Sequence, residues 1–318
     1  MKKLFNGFMI VVFLVIATAL LFNFNGNAFS FETSELNKEQ VIDAEKIKKI
    51  EVESSSTDVL IKPTNSDEIL VKLSGEVSNK LKSSFVLEVD EDNDSVRIKV
   101  ERKERSFFQS FISISKVKLE VYVPQNQYEE IVMETSSGDV QYKEVEVKQL
   151  NIQTSSGDID VEEMSEVEAL SLQASSGDIS LSGIATQKLE VTTSSGDIFS
   201  NGDLSYENAT IEANSGDIEL ENVEGDLSVK TSSGDIELRD NELKENVKLE
   251  TSSGDVNVFF RTQPDSLKLH FKASSGDGSV SLDGLQYTEK SEHNIVGGLG
   301  EEEYQIDVKT SSGDFTLN

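Results

Sequence analysis

Nine Ser-Gly-Asp triplets repeat the same serine and aspartate through this 318-residue chain. Asp139, Asp158, Asp178, Asp197, Asp217, Asp235, Asp255 and Asp277 form the sharpest candidate site, a ladder of carboxylates that could hold cations. Ca²⁺ takes about six to eight oxygens. One aspartate per repeat with a serine beside it is thin ligation, and the G-G-x-G-x-D pattern of calcium repeats is absent. Local hydrogen bonding to serine and backbone N–H groups is the better expectation, with divalent cations as the alternative. The serines raise a second chemistry, nucleophilic hydrolysis. That needs an adjacent base and an oxyanion pocket. The only histidines are His270 and His293, and neither accompanies a triplet at the nucleophile's side in sequence. A nucleophile repeated nine times is no single active site, so no catalytic residue and no cofactor is assigned, and the chain reads as a non-enzyme. Paired acids for glycoside cleavage cannot be singled out among so many carboxylates.

Composition removes further classes. Without cysteine there is no disulfide framework, zinc–thiolate cluster or thiol nucleophile. The net charge of −30 argues against nucleic acid, which demands a basic footprint, and favours cations and cationic partners.

The elements that position the triplets follow from the repeat. Its glycines are Gly138, Gly157, Gly177, Gly196, Gly216, Gly234, Gly254, Gly276 and Gly313, at intervals of 19, 20, 19, 20, 18, 20, 22 and 37. A weaker relative, Ser54-Ser-Ser-Thr-Asp58, has Thr57 at the glycine position. Apolar residues lie seven and five positions before the glycine, as in Leu150 and Ile152, and a small residue lies three before. After it the apolar positions are the second and fourth, as in Ile159 and Val161. Alternation marks half-buried strands, but its parity flips across Gly-Asp. A straight strand cannot do that without moving its side chains to the other face. The triplet is therefore a corner, with glycine supplying positive φ or close backbone approach. A further apolar residue seven beyond the glycine (Val145, Met164, Ile184, Val223) implies a third short side or a second turn.

One such coil cannot bury its inner face alone, whereas stacked coils can. The fold class expected is all-β: a β-solenoid (β-helix) of about nine 20-residue coils over residues 131–318, with an N-terminal β region at 47–130 stacked on it. A propeller would need two repeats per blade. Within 47–130, Asp90–Asp94 reads as a hairpin turn, and the basic, aromatic stretch Arg102–Ile112 as packing on the first coil. An insertion at about 283–303, containing Gly297-Gly-Leu-Gly300, is expected to cover the edge of the last coil; it lacks the context of a phosphate loop. Residues 1–24 contain an apolar run after Lys2-Lys3, expected as one transmembrane helix that leaves the remainder outside, or else as a cleaved signal segment. Residues 25–46 read as a polar tether.

The residues Val121-Tyr-Val-Pro124, Ile131–Val140, the repeated T-S-S-G-D-I and Gly298-Leu-Gly300 before Thr310–Asp314 resemble the bacterial putative-adhesin family of LiaG-like β-strand repeat proteins, over about residues 47–318. The resemblance implies an exported or membrane-associated envelope protein, linked to envelope stress, without catalytic residues. The function expected is a membrane-anchored, extracytoplasmic, non-enzymatic protein that presents a rigid acidic solenoid to an envelope or protein partner. The alternatives are a glycan-binding or glycan-cleaving β-helix, disfavoured by the absence of tryptophan, and a cation-binding repeat protein.

Overall fold

The computed structural model describes residues 33–79, 81–103, 115–241 and 245–318. The expected transmembrane segment, residues 1–24, and most of the Arg102–Ile112 stretch lie outside them. Among the described residues no helix is long and apolar enough to cross a membrane.

Strands β1 (Thr33–Asp43), β2 (Lys49–Ser54), β3 (Asp58–Thr64), β4 (Glu68–Ser78), β5 (Phe85–Asp92), β6 (Ser95–Arg102) and β7 (Ser115–Pro124) precede the repeats. The repeats contribute β8 (Tyr128–Thr135), β9 (Val140–Lys143), β10 (Val147–Thr154), β11 (Ile159–Ala174), β12 (Ile179–Thr193), β13 (Ile198–Ala213), β14 (Ile218–Glu221), β15 (Val223–Lys230), β16 (Ile236–Asn241), β17 (Val247–Glu250) and β18 (Val256–Phe260). The C-terminal part holds β19 (Leu267–Ala273), β20 (Gly278–Val280), β21 (Gln286–Lys290), β22 (Asn294–Leu299), β23 (Gln305–Thr310) and β24 (Phe315–Leu317). All belong to one hydrogen-bonded network.

Each coil has a strand leading into its Ser-Gly-Asp corner and a strand trailing out of it. The leading strands stack in the order β6, β2, β8, β10, the second halves of β11, β12 and β13, then β15, β17, β23 and β19. The trailing strands stack as β7, β3, β9, the first halves of β11 to β13, then β14, β16, β18, β24 and β20. Each face thus holds eleven parallel strands among the described residues, against the nine coils expected, a column roughly 50 Å long at about 4.8 Å per strand. The excess comes from β2–β3 and β6–β7, which are coils of the same column without a complete Ser-Gly-Asp. The alternating apolar residues point inward from both faces. Leu150, Ile152, Ile159 and Val161, one coil's worth, are each at most 1% exposed.

The second turn anticipated by the apolar residue seven past the glycine is present. Glu144, Glu163, Gly183, Gly202 and Asn222, each six past a corner glycine, have φ between 51° and 90°. The left-handed residue turns the chain so that Val145, Met164, Ile184 and Val223 face inward, each at most 9% exposed.

At both ends the stacking order departs from chain order. β2 lies between β6 and β8, and β23 between β17 and β19. Antiparallel strands finish each end. β5 pairs with β6 through the expected hairpin, turning at Asn93 (φ 51°), while β4 and β1 extend the other face; β1 falls within the stretch expected as a polar tether, and Leu36, Ile42 and Ala44 there are buried instead. The insertion forms β21 and β22, and β22 pairs antiparallel with β19. It therefore covers the coil of Gly276. The coil of Gly313 has no open edge to cover, because it is enclosed between the coils of Gly254 and Gly276.

Candidate interaction site: the corner row and the outer faces

The corner glycines form one row, and the need for glycine is close approach, not positive φ. A Cβ on Gly196 would lie 1.9 Å from the Gly177 carbonyl oxygen, and on Gly177 1.8 Å from that of Gly157. The same contact repeats through Gly313, which meets Gly254, and Gly276, which meets Gly313. Thr57 takes the glycine position in the coil before Gly138, and its carbonyl oxygen stands 2.2 Å from the Cβ position of Gly138.

Beside the glycines runs the aspartate row. The Oδ1 of each aspartate accepts the backbone N–H of the next: Asp58 from Asp139 at 3.2 Å, Asp139 from Asp158 at 3.0 Å, Asp158 from Asp178 at 2.9 Å and Asp178 from Asp197 at 2.8 Å. Asp197, Asp217 and Asp235 continue it, accepting from Asp217, Asp235 and Asp255. Asp255 then accepts from Asp314, and Asp314 from Asp277, each at 2.8 Å. The row follows spatial order even where the chain does not. The carboxylates are local acceptors, as expected, but they bond the neighbouring coil and not their own corner. A charged acceptor on an otherwise unpaired corner amide opposes the repulsion between neighbouring carboxylates.

The position three before the glycine does more than stay small. Thr135, Thr154 and Thr193 accept the N–H of Gly138, Gly157 and Gly196 at 2.9–3.1 Å through Oγ1. The hydroxyls of Thr193, Thr231 and Thr251 donate to the carbonyls of Gly177, Gly216 and Gly234 in the preceding coil. Sequence reading missed this role, although threonine fills six of the nine positions, which was the available signal.

The histidines sit at the C-terminal end. His270 lies 3.3 Å from Asp307 across the β19–β23 pair. His293 Nδ1–H donates to the Gly276 carbonyl at 2.7 Å, in the place where a further coil would follow, and lies 3.8 Å from Asp277. Asp277, Glu292 and His293 are the group among the described residues that could offer three atoms to a metal ion. All three are exposed, and neither the spacing nor the burial singles out an ion.

The outer faces are polar. Residues 159–238 contain eighteen Asp and Glu against Lys188 and Lys230. On the trailing face Lys143 contacts Glu162 at 2.8 Å, which raises the lysine. Partial burial, with Glu162 close by, pushes the Asp160 carboxyl up. At the N-terminal end the leading face carries ion pairs: Lys48–Glu129 and Lys49–Glu130 join β2 to β8, while Arg97–Glu51 and Lys99–Glu53 join β2 to β6, at 2.8–3.2 Å. Shallow grooves run beside them, lined by Lys49, Glu51, Asp90, Arg97 and Glu130. No described phenylalanine or tyrosine is exposed; among large apolar side chains Val41 is, at 56%.

The Toastrack DUF4097 family model matches residues 47–201 and again 143–318. A putative adhesin from Bacteroides fragilis NCTC 9343 is 10% identical, over 92% of this chain and 100% of that one, with a TM-score of 0.45. A putative lipid binding protein from Parabacteroides distasonis ATCC 8503 is 14% identical, over 89% and 97%, with a TM-score of 0.46. A putative adhesin from the same strain is 12% identical, over 88% and 97%, with a TM-score of 0.39. The search of curated proteins returned no match.

Proposed function

From membership of the Toastrack DUF4097 family, to which this chain belongs through matches that together run from residue 47 to residue 318, we propose a non-enzymatic interaction protein of the cell envelope. Its repeated polar groups build the column, and its acidic outer faces meet the partner. The observation that carries this reading is the aspartate row. Every Ser-Gly-Asp carboxylate from Asp139 to Asp255, and Asp314, already accepts a hydrogen bond from the adjacent coil. The most repeated chemistry in the chain is thus employed in stacking. What faces a partner is the flat, acid-rich flank of the middle coils, including Asp160, Glu162, Glu219 and Glu237, each partly exposed, with Glu162 also paired to Lys143 and Glu219 and Glu237 to Arg239. Such a surface attracts cationic groups at a distance that salt shortens.

The apolar run within residues 1–24 supports anchoring in the membrane with the column held outside. The test is saturable binding of the detergent-solubilised chain to isolated envelopes. The expected result is binding that weakens with salt and with the joint replacement of Asp160, Glu162, Glu219 and Glu237 by their amides. Binding indifferent to both, or release of sugar ends from wall glycan, would contradict it, the latter in favour of the glycan-cleaving alternative.

A further inference from the structure

We propose that the terminal coil, β23 and β24, is exchangeable between two copies of this chain, so that each copy seats its residues 305–318 in the slot between β17–β18 and β19–β20 of the other. This is independent of the acidic-flank reading above; it concerns a different surface and names the second copy as the partner.

Four observations carry it. First, the coil is inserted, not appended. β23 pairs in parallel with β17 on one side and with β19 on the other, and β24 likewise with β18 and β20. The slot it fills is bounded by two complete coils of matching register: Leu249 and Phe271 are both partners of Val308. Second, the corner contacts that define the slot are repeat contacts. Gly313 fits against the Gly254 carbonyl, Gly276 fits against the Gly313 carbonyl, and the aspartate row runs Asp255, Asp314, Asp277. A terminal coil from a second copy satisfies the same bonds.

Third, leaving the slot without replacement is costly. Ile306, Val308, Phe315 and Leu317 are at most 1% exposed, and Phe315 stacks on Phe271 with centroids 5.0 Å apart. The coil therefore does not stay out; it is either in its own slot or in another. Exchange of an identical element preserves these contacts in full, which makes it a low-cost route to a dimer.

Fourth, the connection is a short strap with one strained residue, Glu302. β22 and β23 lie on opposite sides of β19, so residues 300–304 must cross over its start. Gly300 (φ 62°) holds a conformation glycine takes freely, and passes so close to Asp265 that a Cβ would lie 2.2 Å from its carbonyl oxygen. Glu302 holds φ 57° without being glycine. The strap is tied down by Glu303 N–H on Ser266 Oγ at 2.8 Å and by Lys268 N–H on the Tyr304 carbonyl at 2.7 Å. Short hinges under strain invite exchange, because an extended strap relieves the turn.

The test uses the absence of native cysteine. Glu250→Cys with Lys309→Cys places thiols on directly paired residues of β17 and β23, at a spacing a disulfide can bridge. The full chain is refolded in detergent at low and high concentration, diluted, oxidised and run on a non-reducing gel. In the closed form the disulfide is within one chain; in the exchanged form it links two. The expected result is a reducible covalent dimer whose fraction rises with refolding concentration. Deletion of Glu301 and Glu302, which shortens the strap, should raise that fraction further. Monomer alone at every concentration in both proteins overturns the proposal. So does a dimer by light scattering without a link between chains, since it would be joined elsewhere.

Discussion

The middle of the column and its two ends solve the same problem by different means. In the middle, from β8 to β18, chain order is stacking order, and each coil meets a near-copy of itself. The repeat alone determines the match: glycine carbonyl into glycine, aspartate onto aspartate amide, apolar pair onto apolar pair. At the ends a coil must find a neighbour that is not the next in sequence. There several outward positions pair opposite charges, as Lys143 and Glu162 also do in the middle, while Lys272 directly opposes Lys309. Glu51 opposes Arg97, Glu53 opposes Lys99, Lys49 opposes Glu130, and His270 opposes Asp307, each on directly paired residues. Exposed ion pairs contribute little stability, but like charges in direct opposition are unfavourable. The difference teaches that the repeat supplies cohesion everywhere, while at the ends it leaves the choice among equivalent neighbours open.

The comparison breaks most readily in the middle. Gly196→Ala sets a Cβ 1.9 Å from a backbone oxygen that has a coil behind it; overpacking of this kind costs about 3 kcal/mol. Gly202→Ala, with φ 90° but no atom nearer than 3.9 Å, should cost about 1 kcal/mol. Urea midpoints of the two variants separate close approach from backbone conformation. Equal losses would remove the stacking explanation for the row.

The next effect is pH-dependent. Burial raises the Tyr206 and Tyr142 hydroxyls well above the ordinary phenol value and pushes Tyr128 up to about 12. Above pH 10 the unfolded chain loses these protons first, so stability should fall as pH rises from about 10 to 12, by up to about 1.4 kcal/mol per pH unit for each tyrosine. The buried Tyr206 hydroxyl has no hydrogen-bond partner. Tyr206→Phe should therefore be neutral or stabilising at pH 7 and should flatten the alkaline loss. Denaturant midpoints between pH 8 and 12 check both parts.

Smaller effects sharpen the roles of charge. Asp178→Ala removes the acceptor of the Asp197 amide and should cost about 1 kcal/mol. Asp178→Asn keeps an acceptor, relieves repulsion and should change the midpoint little. Arg97→Glu at the N-terminal end, which sets like charges across β2 and β6, should lower the melting midpoint slightly and only at low salt. Smallest of all, millimolar calcium or chelator should leave the melting curve unchanged, because the aspartates are hydrogen-bond acceptors; a clear calcium-dependent shift would restore the cation ladder.

The same contrast explains what could be read in advance. The corner was legible because its residues serve one purpose at a fixed spacing, and Ser-Gly-Asp with flanking alternation recurs where the chain turns. The second turn was only half legible. Its left-handed position accepts Glu144, Gly183 or Asn222 alike, so geometry recurs without a shared letter. The ends were not legible. That β23 lies between β17 and β19 depends on pairings 37 to 59 residues apart, and a parallel strand of the right register fits any slot in the column. The interval of 37 before Gly313 marked an insertion, but not which coil it would cover. In the candidate site, the aspartates were foreseen as local acceptors while their partners, amides one coil away, were not, because the stacked distance is not a sequence distance.

The account rests on corners that are closed by their neighbours, and amide hydrogen exchange reads this directly. The backbone N–H groups of Asp158, Asp178, Asp197, Asp217 and Asp235 are exposed-side corner amides whose acceptors are carboxylates of the preceding coil. The expected result is protection of all five, approaching that of the strand amides of Ile179 and Ile198. Exchange at the rate of free, solvated turns would show that the corners are not joined and would contradict the stacked column at its central point.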